Sequence, residues 1–162
     1  MAVPDIYLKL DGINGEAQDS KHKDWIEVQS FSWGLSNSGT GAVGAGSGAS
    51  KANLHDLSIQ KYADKSTPNL FKFCALGKHI ATGKLSVRKA GGDDPVEYLK
   101  YDLTEVFISS FQQGGSDGGG IATESVALNF AKIKLTYTPQ KADGSPDTDI
   151  PVWYNAKTHE SG

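Results

Sequence analysis

The chain has 162 residues, enough for one domain with a substantial core, and its 16 Lys and Arg against 19 Asp and Glu leave a formal charge of −3. That balance argues against nucleic acid as a partner, and the single cysteine, Cys74, excludes an internal disulfide. No apolar run reaches membrane-spanning length, and the first residues lack the basic start and apolar run of a secretory signal, so the chain is expected to fold in the cytoplasm, and any export would need a route without a cleaved signal.

Ile6, Leu8 and Leu10 alternate with Tyr7 and Lys9, which predicts a half-buried strand followed by a turn at Asp11-Gly12 and Asn14-Gly15. Residues 24–33 read as a second strand whose apolar parity changes: Ile26 and Val28 are even, Phe31 and Trp33 odd. Either a bulge shifts the register or both faces are covered. Residues 34–52 are Gly-rich with almost nothing to bury, a long bare loop of the kind that is usually functional or disordered. Its one G-x-G-x-x-G, Gly39 to Gly44, needs a helix to open there for dinucleotide binding, and Gly46, Ser47 and Gly48 oppose one. An arm that settles on a neighbouring subunit is the better reading. Residues 53–62 alternate as a third strand.

The stretch 61–92 holds the one convincing helix, over about residues 67–76. Ser66 or Thr67 is placed to cap it, Pro68 suits its first turn, Leu70, Phe73 and Cys74 share a face, and Gly77 can end it. Residues 84–89 alternate with Leu85 and Val87 inward. Residues 96–111 are apolar on both parities, which predicts a long strand covered on one side by core and on the other by a second subunit. Residues 123–137 form a further long strand, 139–162 an irregular tail, and Val152-Trp153-Tyr154 a short strand-like stretch. The expected fold is mainly β: one domain, a small antiparallel barrel of two sheets with one flanking helix and a long Gly-rich loop.

Several runs in order resemble one family. They are Trp33-Gly34, the Gly-rich loop, Asp56-Leu57, Lys61-Tyr62 with Asp64-Lys65, Ser66 to Leu70, and Gly77-Lys78-His79. Arg88 to Gly92, Val96-Glu97-Tyr98-Leu99, Ser109-Ser110, Leu128-Asn129-Phe130 and Pro139 to Gly144 continue the series. The chain resembles the haemolysin-coregulated protein family, Hcp, over nearly its whole length. The resemblance implies a structural tube subunit of the bacterial type VI secretion system, without enzymatic activity or cofactors. Six-membered rings would stack into an inner tube inside a contractile sheath, beneath a spike-tip protein, and carry and chaperone effector proteins in the lumen before secretion. No toxin extension is expected after residue 162. The arm residues Ser38, Gly39, Thr40, Gly41, Ala42, Val43 and Gly44 are then candidates for contacts between rings or subunits. Ser30 and Ser32, opposite Phe31 and Trp33, are candidates for the lumen wall, the alternative being ordinary solvent-facing positions.

Two other classes of function compete with this one. An oligomeric β-barrel that binds a ligand or carbohydrate would use Trp25, Trp33, Trp153 and Tyr154 as its platform, although core and interface burial is the simpler role for Trp33. A small hydrolase would use Cys74 and His79, yet Cys74 lies on the apolar helix face, where a buried inert thiol is expected. His22, His55, His79 and His159 lack metal-ligand spacing. Glu97 and Glu105, or Asp102, are too far apart along a strand to act as a glycosidase pair.

Overall fold

A computed structural model describes residues 5–37, 51–89 and 95–162. β1 (Ile6–Leu10) pairs antiparallel with β2 (Ile26–Val28) on one edge and with β7 (Ile80–Arg88) on the other. One residue past β2, the chain becomes β3 (Ser30–Ser32) and pairs instead with β6 (Leu57–Tyr62). Gln29 makes the switch, its N–H donating to the Gln60 carbonyl at 2.7 Å. This explains the parity change: Ile26 and Val28 are buried beside β1, whereas Phe31 is half-buried beside β6. Among the described residues no ladder joins β2 to β6. The circuit of strands is completed there by the chain itself, so the barrel is not closed by hydrogen bonds.

β8 (Glu97–Gly114) and β9 (Thr123–Tyr137) run the length of the domain. Leu103 and Ile133 face the core from odd positions, Val106 and Phe130 from even ones, with no slip in the register between them. β7 changes in step, since Ala81 and Thr82 are both exposed between buried Ile80 and Gly83. The sheet therefore folds over along one line through β7, β8 and β9. Glu105 sits on that line with φ 53°, the left-handed region that non-glycine residues seldom adopt. A true register shift follows between Ile108 and Ser110. β8, apolar on both parities, thus lines the core with residues of each parity on either side of that line.

Along its other edge β9 pairs with β6 at residues 123–128 and with β10 (Ile150–Asn155) at residues 132–137. β10 turns back into β11 (Glu160–Ser161), so part of the stretch expected to be irregular continues the sheet, with Val152-Trp153-Tyr154 inside β10. β4 (Leu35–Asn37) and β5 (Ala52–Leu54) form a separate two-stranded ladder at the base of the Gly-rich stretch. Ser38, Gly39, Thr40, Gly41, Ala42, Val43 and Gly44 lie outside the described residues.

The helix α1 occupies Thr67–Leu76 and buries Leu70 and Phe73, while Phe71 on its other side is exposed. Gly77, at φ 59°, ends it, and the Gly77 and Lys78 N–H groups bond to the Cys74 and Phe73 carbonyls. The expected hydroxyl cap is absent: Ser66 donates its hydroxyl to Asp64 rather than accepting from the first turn. Thr67 accepts from the Asp64 N–H at 3.0 Å and donates to Glu124 at 3.0 Å, which ties the helix start to β9. Between the layers Leu8, Leu10, Ile26, Ile59, Leu85, Leu103, Val126 and Leu128 are fully buried. Each contributes about 1.5–3 kcal/mol by leaving water.

Candidate functional site

The two layers present different outer faces. On the layer formed by β3, β6, β9 and the end of β8, Ser30 stands opposite Gln60, which stands opposite Ser125, which stands opposite Gln112. The adjacent row is Ser32, Ser58, Ala127 and Ser110. These eight positions carry no charge and no large apolar group, and Gln60 donates to Ser125 at 2.9 Å across the strands. Ser30 and Ser32 are both exposed and belong to this neutral face. Both ends of the layer are unpaired: among the described residues β3 pairs only with β6, and residues 107–114 of β8 pair only with β9. A sheet with two free edges can be extended at both by other copies of itself.

On the opposite layer, residues 13–25 fold back over β1 and β7. Gly15 permits the return, because a Cβ there would lie 2.5 Å from the Trp25 carbonyl oxygen and 2.6 Å from the Ile26 Cα. The return delivers His22, which lies flat on Tyr7 at 4.5 Å between ring centroids and meets the edge of Trp25 at 4.7 Å. His22 Nδ1 is 2.7 Å from an Asp19 oxygen, and Nε2 is 3.1 Å from both Ser86 Oγ and a Glu97 oxygen. Arg88 completes the cluster, donating to Asp19 at 3.1 Å and to the Tyr7 hydroxyl at 3.0 Å.

Ser86, His22 and Asp19 have the distances of a nucleophile, base and orienting carboxylate, but the geometry opposes that chemistry. Each ring nitrogen faces a carboxylate oxygen, the Ser86 hydroxyl donates to Glu97 instead of the imidazole, and Ser86 is only 2% exposed. The cluster clamps the returning segment to β7 and β8. Burial pushes the Asp19 carboxyl up, but the His22 hydrogen bond, the Arg88 charge and the Lys21 N–H outweigh it and hold it below its ordinary 3.8. Glu97 behaves alike: burial raises it, while the Ser86 and His22 hydrogen bonds and nearby Lys100 bring it below 4.5. The Tyr7 hydroxyl is pushed up from 10.0 by burial, against the lowering influence of Arg88.

A pocket of about 530 Å³ opens beside this cluster, with His22, Trp25, Lys84, Arg88, Glu97 and Lys100 in its wall. A second hollow, of about 260 Å³, lies between the β4–β5 ladder and β10, lined by Trp33, Leu35, Leu54, Leu135, Val152 and Trp153 among others. It exposes only apolar atoms, so it offers no partner for sugar hydroxyls and does not favour a carbohydrate platform. Trp33 is edge-on to Tyr101 and Phe130 at the rim of the core. Trp153 takes Lys132 over its face at 4.4 Å.

The remaining candidates are not brought together. Cys74 packs against the core from α1, while His79 tilts against Phe107 at 5.9 Å, and no hydrogen bond joins the two. Among the described residues no group of three or more His, Cys, Asp or Glu is arranged to hold a metal ion. The His22 cluster was not foreseen. Its one sequence signal is the run of Ser86 and Arg88 on the polar parity of β7; their partners are 64 and 69 residues away.

Comparison with known proteins places these features in a family. Residues 7–137 match the family model described as type VI secretion system effector, Hcp. The chain is 50% identical over 147 residues to protein hcp1 of Pseudomonas aeruginosa, covering 91% of this chain and 90% of that protein. Among solved structures, Hcp1 from Salmonella typhimurium superposes with a TM-score of 0.81 at 39% identity, over 100% of both chains. A structure described as a type six secretion system protein superposes with a TM-score of 0.87 at 30% identity, covering 98% of this chain and 99% of that one.

Proposed function

Because this chain belongs to the Hcp family of the type VI secretion system, we propose that it is a ring-forming subunit of the secretion tube, with no catalytic chemistry of its own. The observation that carries this reading is the neutral four-stranded face with two free edges. In a heterologous ring, β3 of one copy meets the free half of β8 of the next, and closure leaves neither of these two edges exposed. Six-membered rings then turn their Ser and Gln faces towards a common lumen.

Such a wall suits cargo passage. A charged wall would bind oppositely charged effectors too tightly, and an apolar one would trap partly folded chains. Short hydroxyls and amides offer weak, replaceable hydrogen bonds instead. Ser30 and Ser32 take the role of effector contacts. The arm residues 38–44, between β4 and β5 in the sequence, take the role of contacts between rings, where a weak contact repeated around the ring holds the stack. A spike-tip protein and contractile sheath proteins are the further partners, and the protein folds in the cytoplasm before leaving without a cleaved signal.

The test is solution mass followed by negative-stain electron microscopy of the same fraction. Rings with an open centre support the reading. A monomer at all concentrations, with or without the other secretion proteins, overturns it.

A further inference from the structure

The face opposite the neutral one is cationic, although the whole chain carries −3. Across β1, β7, β8 and β9 the outward row reads Lys9, Lys84, Asp102, Lys134. Lys9 and Lys84 are directly opposed, an arrangement that destabilises a sheet on its own. Asp102 is the one carboxylate in the row, set between Lys84 and Lys134. In the next row Lys100, whose side chain is 42% exposed, borders the 530 Å³ pocket.

Arg88 lines the same pocket with only 7% of its surface exposed, and its Nε, itself shielded from solvent, has no hydrogen-bond partner among the described residues. A buried N–H left without an acceptor is uncommon and costs free energy. The carboxylates of the cluster are engaged: Asp19 with His22 and the other end of Arg88, Glu97 with Ser86, His22 and Lys100.

We propose that this outward face is a docking surface for an acidic protein segment, steered by the Lys9–Lys84–Lys134 row and anchored by a carboxylate seated in the pocket beside Lys84 and Lys100. Further carboxylates along the segment relieve the opposed lysines. Nucleic acid fits less well. Asp102 and Glu97 lie within the surface and would repel a continuous polyphosphate, whereas a peptide can place its charges between them. The inference does not depend on the tube reading, because it concerns the opposite face.

Fluorescence anisotropy with labelled oligoglutamate tests it, with oligothymidylate of equal charge as comparison. The paired change Lys84→Glu with Lys134→Glu should weaken oligoglutamate binding by about tenfold or more. The charge-matched pair Lys72→Glu with Lys141→Glu, on other surfaces, should leave it within about twofold. Equal losses in both lysine pairs, tighter binding of oligothymidylate, or no binding by the wild type would each overturn the proposal. Ring formation is read on the same fractions: rings without binding sink this inference alone, and binding without rings sinks the tube reading alone. Loss of rings in the Lys84 and Lys134 variant would reassign this face to the subunit contact and overturn docking of a separate partner.

Discussion

Lys61 on β6 and Glu124 on β9 stand directly opposite each other, and both side chains are fully buried and paired. The pair is satisfied on every side: Lys61 also reaches Asp64 at 3.1 Å, and Glu124 accepts from Thr67 and from Gln113 at 2.7 Å. One carboxylate therefore joins β6, β8, β9 and the start of α1. Glu124→Gln leaves the Lys61 ammonium in the interior without its main counter-charge, and is expected to cost about 3–5 kcal/mol in urea unfolding. Replacing both, Lys61→Met with Glu124→Leu, removes the charges together and should cost clearly less than the single change. A double variant as unstable as the single one would show that the network, rather than the uncompensated charge, sets the cost.

That pair illustrates what the sequence could and could not tell. The alternation within residues 53–62 was legible, because a period of two needs only local spacing. The partner of Lys61 was not, since it lies 63 residues away and nothing local marks Glu124 as buried. The helix at Thr67–Leu76 was legible from Pro68 and Gly77, yet its cap was misread, because Asp64 and Glu124 compete for the same hydroxyls. The parity change in β8 was visible, but its cause is a fold in three adjacent strands, and a fold across a sheet leaves no mark in any one strand. Ser30 and Ser32 could be placed on the polar side of their strand, but the uncharged rows they share with Gln60, Ser125 and Gln112 emerge only from the register.

The His22 cluster makes an acid-dependent contribution to stability. Asp19 and Glu97 both ionise below their ordinary values in the folded chain. Their contribution is therefore complete above the ordinary carboxyl values of 3.8 and 4.5, begins to decline as pH falls through them, and is lost once pH falls through the lowered folded values. Asp19→Asn should lower the melting temperature at pH 7, and the gap to the wild type should close on acidification. A gap that stays constant as pH falls well below the ordinary carboxyl values would mean that packing, not ionisation, accounts for the effect.

Gly15 is expected to be intolerant of a side chain. The added carbon of Gly15→Ala would meet backbone atoms of Trp25 and Ile26, which cannot rotate away. The segment 13–25 must then lift, taking His22 off Tyr7. Hydrogen exchange should show lost protection at the Gly15 and Ala17 N–H groups, which bond to the Asp24 and Trp25 carbonyls, while β8 and β9 remain protected. Unchanged exchange at these two amides would mean that the segment tolerates the shift.

The last expectation concerns the free half of β8. Val106 and Ile108 point into the core, and Phe107 between them points outward, half-buried beside His79 and opposite Asn129. It is the large apolar group on the outer side of β8 nearest to where the strand leaves β7 and loses its second neighbour. In the ring reading that position lies at the subunit boundary, where its ring is covered by the next copy. Phe107→Asp changes nothing inside the core, so circular dichroism should match the wild type. A buried, uncompensated carboxylate at a repeated contact is, however, strongly unfavourable, and every contact around the ring carries one. Size-exclusion chromatography should then show monomers where the wild type gives rings. Rings that persist in the Phe107→Asp variant would remove this half of β8 from the contact and leave β3 to meet some other edge.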